Sequence, residues 1–279
     1  MKKPRGDLPD FSRPPLSEVV LSIQFASLTE LKGIHLGLFW RGLRKQYPDV
    51  SEQAPIQAAF ETFGTPQTMT TFQLQAFMSP PMPRYWFEKK GEPDLLQVQH
   101  DRLVHNWRGG DESPTYPRYP KVKAKIEKEI RQFSDWLASE GLGKIQPNQC
   151  EVTYTNLIDY AESDRLHADL NRLTPLLTGS IIENMPAELE DTTTSSRFIF
   201  FHNEKRAGRI YVQFQPVFRQ SDLAPLIKLE ITARGRPDGE GISDALNFLD
   251  VEREQVVRTF AAVTSEEMHK VWGRKDGKR

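Results

Sequence analysis

A chain of 279 residues with a formal net charge of −1, 27% charged and 38% hydrophobic residues, has the make-up of an ordinary globular protein, long enough to bury a large core without staples. Its single cysteine, Cys150, excludes an internal disulfide and a cysteine-based zinc site, and the near-zero charge argues against binding dominated by phosphate. No apolar run reaches the ~20 residues a bilayer needs, and the basic start MKKPRGDLPDFSRPP has no apolar stretch behind it, so a cytoplasmic protein without membrane association is expected.

Residues 1–15 read as a Pro-rich arm. A strand signal follows at Glu18–Phe25, where Val19, Leu21, Ile23 and Phe25 alternate with Val20, Ser22 and Gln24. Ser27 and Glu30 form the pattern of a capping box for a helix bearing Leu31, Ile34, Leu38, Trp40 and Leu43, closed at Tyr47-Pro48. From about 56 to 108 the period becomes two: Phe72, Leu74 and Ala76 alternate with Gln73 and Gln75, a short run covers Arg84 to Phe87, and a turn falls at Lys90-Gly91-Glu92-Pro93. The stretch LLQVQHDRLVHNWR then reads as two strands about a tight turn at Asp101. Gly109-Gly110 breaks the sheet, and a long helix over Pro120–Glu140 places Val122, Ile126, Ile130, Phe133 and Leu137 on one stripe, ended by Gly141 and Gly143.

The order then repeats. A strand begins at Glu151-Val152, and Ser163 can cap a short helix with Leu166, Leu170 and Leu173. Strands SRFIFF, RIYVQFQPVF and LIKLEITAR follow, and a helix from about Ser243 carries Leu246, Leu249, Val256, Phe260 and Val263. A last helix has Thr264 and Glu267 as its capping box and Gly273 at its end, before a basic tail. The fold class is therefore α+β, with two tandem strand–helix–strands–helix halves (16–145 and 146–279) and antiparallel sheet carrying helices on one face. A period this long suggests duplication rather than a solenoid. The element order resembles a duplicated TATA-binding-protein-like fold, which implies a curved open sheet and not DNA binding, since function must be argued from the site. Ile210, Val212 and Phe214 oppose Tyr211, Gln213 and Gln215, and Ile227, Leu229 and Ile231 oppose Lys228, Glu230 and Thr232. With Gln73, Gln75, Gln97 and Gln99, the polar side is rich in glutamine, which donates and accepts hydrogen bonds without charge.

His100, Asp101 and His105 are the nearest approach to a metal cluster, but on strands meeting at a tight turn they need not share a face and no second cluster completes the ligand set, so neither metal nor cofactor is expected. The sequence holds no G-x-S-x-G elbow, no P-loop and no G-x-G-x-x-G, and Cys150 reads as a small packed residue, so catalysis stays open and is disfavoured. Glu188 with Glu190, and Lys121, Lys123, Lys125 and Lys128 beside Glu127 and Glu129, read as solvated surface. The candidate partner- or ligand-binding residues are Arg84, Trp86, Gln97, Gln99, Asp101, Arg102, Asn106, Trp107 and Arg108, because arginine and tryptophan combine contact area with a polar handle. The plainer reading puts both tryptophans in the core and pairs the arginines with carboxylates.

The pieces PPLSEVVLSIQF, FWRGLRKQYP, RYWFE and LLQVQHDRLVHNWR, with YPRY just after, resemble the signature of a sporadically distributed prokaryotic family of uncharacterised proteins. The likeness spans most of residues 14–135 and returns at TSEEMHKVWGR. Patchy distribution implies horizontal transfer, common among toxin–antitoxin and phage-defence genes. The leading expectation is thus a non-catalytic interaction module, an antitoxin, immunity or defence subunit that docks a protein partner on the helix-free sheet face or the rim near Trp107 and Arg108. The second is nucleic-acid binding through Arg84, Arg102 and Arg108. The third is a ligand sensor or enzyme with a pocket between the halves. Homo-oligomerisation stays open.

Overall fold

Alternation along the strands sorts apolar side chains to one face of a single sheet and polar ones to the other. The computed structural model describes residues 7–63, 82–109, 115–159, 166–167, 170–177 and 189–275. Its strands are β1 (Asp10–Phe11), β2 (Leu16–Phe25), β3 (Asp49–Gln53), β4 (Arg84–Glu88), β5 (Asp94–Gln99), β6 (Arg102–Arg108), β7 (Pro147–Ile158), β8 (Thr194–His202), β9 (Lys205–Phe218), β10 (Pro225–Gly235) and β11 (Arg274–Lys275). Its helices are α1 (Gly33–Leu43), α2 (Tyr119–Ser139), α3 (Leu170–Leu173), α4 (Ile242–Val263) and α5 (Glu266–Val271). Among the described residues one nine-stranded antiparallel sheet has the order β3-β4-β5-β6-β2-β7-β10-β9-β8, and β1 pairs with β11 separately. The fold is α+β with helices packed on the sheet. The order is mirrored about the β2–β7 pair: each central strand is flanked by the strand that precedes the long helix of its own half.

The helix-covered face carries Leu21, Ile23, Leu103, Val152, Leu229 and Ile231, all 0% exposed. The stripe of α2 is buried as expected, and Phe133 meets Phe25, Phe39 and Trp136 at ring distances of 6.3, 4.9 and 5.9 Å. Gly141 takes φ +67°, a left-handed conformation that ends α2 at little cost to glycine. The β8–β9 hairpin turns on Asn203 and Glu204 at φ 48° and 63°, the positive-φ pair that a two-residue turn requires.

Several expectations are corrected. Helix α1 starts at Gly33, with the Lys32 backbone N–H donating to His35 Nδ1 at 3.1 Å, so Ser27 and Glu30 lie before it. Its buried side is Leu36, Phe39 and Leu43, whereas Ile34 and Leu38 are exposed. The N-cap of α5 is Ser265, which accepts from Met268 N; Thr264 donates instead to the Phe260 carbonyl at 2.6 Å. Glu129 is buried, not solvated. The expected strand at 72–76, the Gly110 break, the Ser163 cap, Glu188 and the tail from 276 lie outside the described residues. No helix among the described residues is long and apolar enough to cross a membrane.

Glu129 belongs to a polar cluster inside the helix side. His105 on β6 places Nδ1 2.9 Å from Glu129 Oε2 and Nε2 3.4 Å from Asp94 Oδ1, and Tyr47 donates to Glu129 Oε1 at 2.5 Å. Burial alone would lower the His105 pKa, but the Glu129 charge and the contacts from Asp94 and Glu129 outweigh it and push it up to about 9. His100 lies in the turn, its carbonyl accepting from Leu28 N, so the two histidines do not converge. Because the folded His105 pKa lies above its ordinary 6.5, the stabilisation is fully present below about 6.5 and lost as pH rises through about 9. The urea midpoint should fall across that window, and His105→Gln should flatten the slope there. Phe133→Ala should cost about 3–5 kcal/mol, read by the same titration.

Candidate functional site

Among the described residues no helix lies on the other face, which is built by the alternate residues of the same strands and is closed over rather than bare. Gln24, Gln97, Gln99, Arg102 and Asn106 are 5% exposed or less. At the β4–β5–β6 end Gln97 and Asn106 form a relay of amides between the Arg84 cation and the Glu18 carboxylate. Arg84 Nη1 and Trp86 Nε1 donate to Gln97 Oε1 at 2.7 and 3.0 Å, Gln97 Nε2 donates to Asn106 Oδ1 at 2.6 Å, and Asn106 Nδ2 donates to Glu18 at 2.8 Å. The Arg84 guanidinium also lies 5.5 Å from the Trp86 ring centre.

Past this relay, the non-regular segment 54–63 runs across the face. Gln99 grips both backbone groups of one residue: Ile56 N donates to its Oε1 at 3.0 Å, and its Nε2 donates to the Ile56 carbonyl at 2.9 Å. Gln24 Oε1 accepts from Ala59 N at 3.0 Å and from Arg102 Nη2 at 2.5 Å, while Arg102 also reaches the Gln57 carbonyl. Gln99 Nε2 is further held by Asp101 Oδ1 at 2.5 Å. These amides recognise the segment by its main chain, without regard to side chain, as added strands are recognised at sheet edges.

The far end of the segment is read by charge. The Glu61 carboxylate, 2% exposed, is paired with Arg209 of β9, accepts from the Tyr211 hydroxyl at 2.7 Å and lies 3.8 Å from Arg234 of β10. Arg209 also donates to the Thr62 carbonyl at 2.6 Å and lies 4.8 Å from the Phe63 ring centre. Arg234 is held by Glu151 at 2.5 Å. Burial opposes charge on Arg234, but Glu151 outweighs it and its pKa is raised; burial and the Glu61 contact keep Tyr211 protonated. Burial, with Arg234 close by, draws Arg102 below its ordinary value against the pull of Glu151 and Asp101. A charge-assisted pair shielded in this way is screened by salt far less than a surface pair.

Of the candidates named from sequence, Arg84, Trp86, Gln97, Gln99, Asp101, Arg102 and Asn106 are joined by these contacts. Arg108 lies at the rim, donating to Glu88 at 2.7 Å. Trp107 does not join them: it is 3% exposed on the helix side, against Tyr116 at 5.1 Å. Sequence reasoning missed Glu61, Glu151, Arg209, Tyr211 and Arg234. The alternation of Arg209 and Tyr211 with Ile210 placed them on the polar face, but nothing local tied them to Glu61.

The chain matches no family model, no curated protein and no solved structure. The TATA-binding-protein-like resemblance accordingly stays one of element order.

Removing the Glu61 charge should release the segment without unfolding the sheet. In Glu61→Gln, hydrogen exchange at the Ile56 and Ala59 amides should speed up about tenfold or more, the cost of one charged hydrogen bond, while the amides of β2 and β7 keep their protection.

Proposed function

We propose that the protein is a non-catalytic interaction module whose helix-free sheet face binds an extended, acidic segment of a partner protein, with residues 54–63 holding that face until the partner displaces them. The observation that carries this reading is the bidentate hold of Gln99 on the Ile56 backbone together with the Glu61 carboxylate sunk between Arg209 and Tyr211. Such a surface asks for an open main chain and one carboxylate about five residues further on, a requirement another protein can meet. Phe60, 54% exposed on the outer side of the segment, gives an incoming chain a place to begin. The setting is cytoplasmic and of the antitoxin, immunity or defence-subunit kind, in line with the resemblance of its N-terminal half. The mirrored strand order supports reading the two halves as copies of one duplicated unit. Arg84, Arg102 and Arg108 are all engaged by acceptors of the same chain, which favours a protein partner over a nucleic acid.

A synthetic peptide of residues 54–63 supplies the test. A variant whose own 54–63 is replaced by a Gly/Ser linker should bind the peptide in a fluorescence-anisotropy titration, and the Glu61→Gln peptide should bind about tenfold more weakly. The intact protein, whose face is filled, should bind it much less. Failure of the linker variant to bind, or equal binding of both peptides, overturns the reading.

A further inference from the structure

A cavity of about 330 Å³ lies on the other side of the sheet, between the arm at residues 9–16, the start of α2, the middle of α4 and the end of β7. Its volume is that of a small-molecule site. One part of its wall is apolar, from Phe11, Leu16, Val257 and Phe260. The other part gathers Tyr116, Tyr119 and Tyr154 around Arg253. The guanidinium carbon of Arg253 stands 5.3 Å from the Tyr119 ring centre. Burial raises the pKa of all three phenols, and the Arg253 charge acts on each in the opposite direction, which places that charge where the three rings meet. The Tyr116 and Tyr154 hydroxyls are 3.2 Å apart, and Tyr119 donates to Asp250 at 2.9 Å.

The charges at this cavity do not cancel. Arg118, at the mouth, is matched by Asp10 at 2.9 Å. Arg253 has no ion pair among the described residues; it hydrogen-bonds the Tyr154 side chain, and its Nε is buried without a partner. A cation kept in a tyrosine-lined cavity with a donor unused is costly unless something completes it. The mouth also stores backbone strain: Arg118 sits at φ 75°, ψ 149°, a region nearly confined to glycine, and such strain gathers at ligand sites.

We propose that this cavity binds a small organic monocarboxylate with a flat apolar body, its carboxylate on Arg253 and its body against Phe11, Val257 and Phe260. One uncompensated cation calls for one negative charge, and the planar guanidinium fits a carboxylate edge to edge. A phosphate dianion would need a second free cation, and Arg118 is already spent on Asp10. The inference is independent of the reading of the polar face.

Calorimetric titration of the intact protein with phenylacetate, its uncharged isostere phenylacetamide and inorganic phosphate tests the class of ligand. Phenylacetate should bind one to one, with the amide and phosphate at least about tenfold weaker. Arg253→Gln should abolish the preference for acid over amide, and Arg253→Lys should keep part of it. In crystals soaked with 4-bromophenylacetate, the bromine should lie in this cavity. Equal binding of acid and amide, tighter binding of phosphate, a bromine elsewhere, or no binding of the acid at millimolar concentration overturns the proposal, and each of these outcomes is readable on the wild-type protein alone.

Discussion

The pairing of β2 with β7 is the contact from which the rest of the molecule extends. In it Val19 faces Tyr154, Leu21 faces Val152 and Ile23 faces Cys150, and every other strand of the main sheet is hydrogen-bonded outward from this seam. The seam is buried from both directions. On one side α2 and α4 supply an apolar cover. On the other, Gln24 is only 2% exposed. A central strand with polar residues shut away from water must find partners for them within the protein. That constraint explains why a glutamine-rich face does not stand open: the amides of Gln24, Gln97 and Gln99 are met by Asn106, Asn148, Arg84, Arg102 and the main chain of residues 54–63.

The choice of glutamine over charge at the middle of the face follows from the same constraint. An amide offers a donor and an acceptor and can be buried when both are met, whereas a buried ion needs a counter-ion and further hydrogen bonds. Where a buried carboxylate does enter, at Glu61, it meets Arg209, Tyr211 and Arg234. The face is thus graded, with amides joining the charges of Arg84, Arg102 and Glu18 at β2–β6 and direct ion pairs at β9–β10. The cavity behind the sheet is built on the opposite footing, with a cation left over rather than matched.

Much of this was legible because it follows local periods. The buried stripes of α2 and α4, the hairpin at Asp101 and the polar parity of Arg209, Tyr211, Gln97 and Gln99 all stand in the sequence. Trp107 was also legible, and its placement at the rim ignored a simple rule: it shares parity with Leu103 and His105, so it turns to the helices, while Asn106 and Arg102 turn away. Helix α1 misled because Ile34 and Leu38 fit a helical spacing as well as Leu36, Phe39 and Leu43 do, and only the position of α2 decides which side is covered. The period of two read from about residue 56 does not hold at 54–63, which crosses the face without regular structure, so nothing local marked it as part of the face. Glu61 and its partners Arg209 and Tyr211 are separated by 148 and 150 positions, a distance across which no motif reaches.

The seam also fixes the order in which the chain can become native. Strand β2 is made early, yet its partners are residues 102–108 on one flank and 147–158 on the other, so during synthesis its apolar side waits for more than half the chain. Pairings between such distant segments make folding slow, and they leave an unfinished edge exposed to association while it proceeds. The last link, Asp10–Phe11 with Arg274–Lys275, joins the two ends of the described chain. A ribosome-bound intermediate that ends before β7 would therefore hold β2 with one edge unclosed, at the stage when a chaperone has most to grip, whereas the loss of β11 frees only β1.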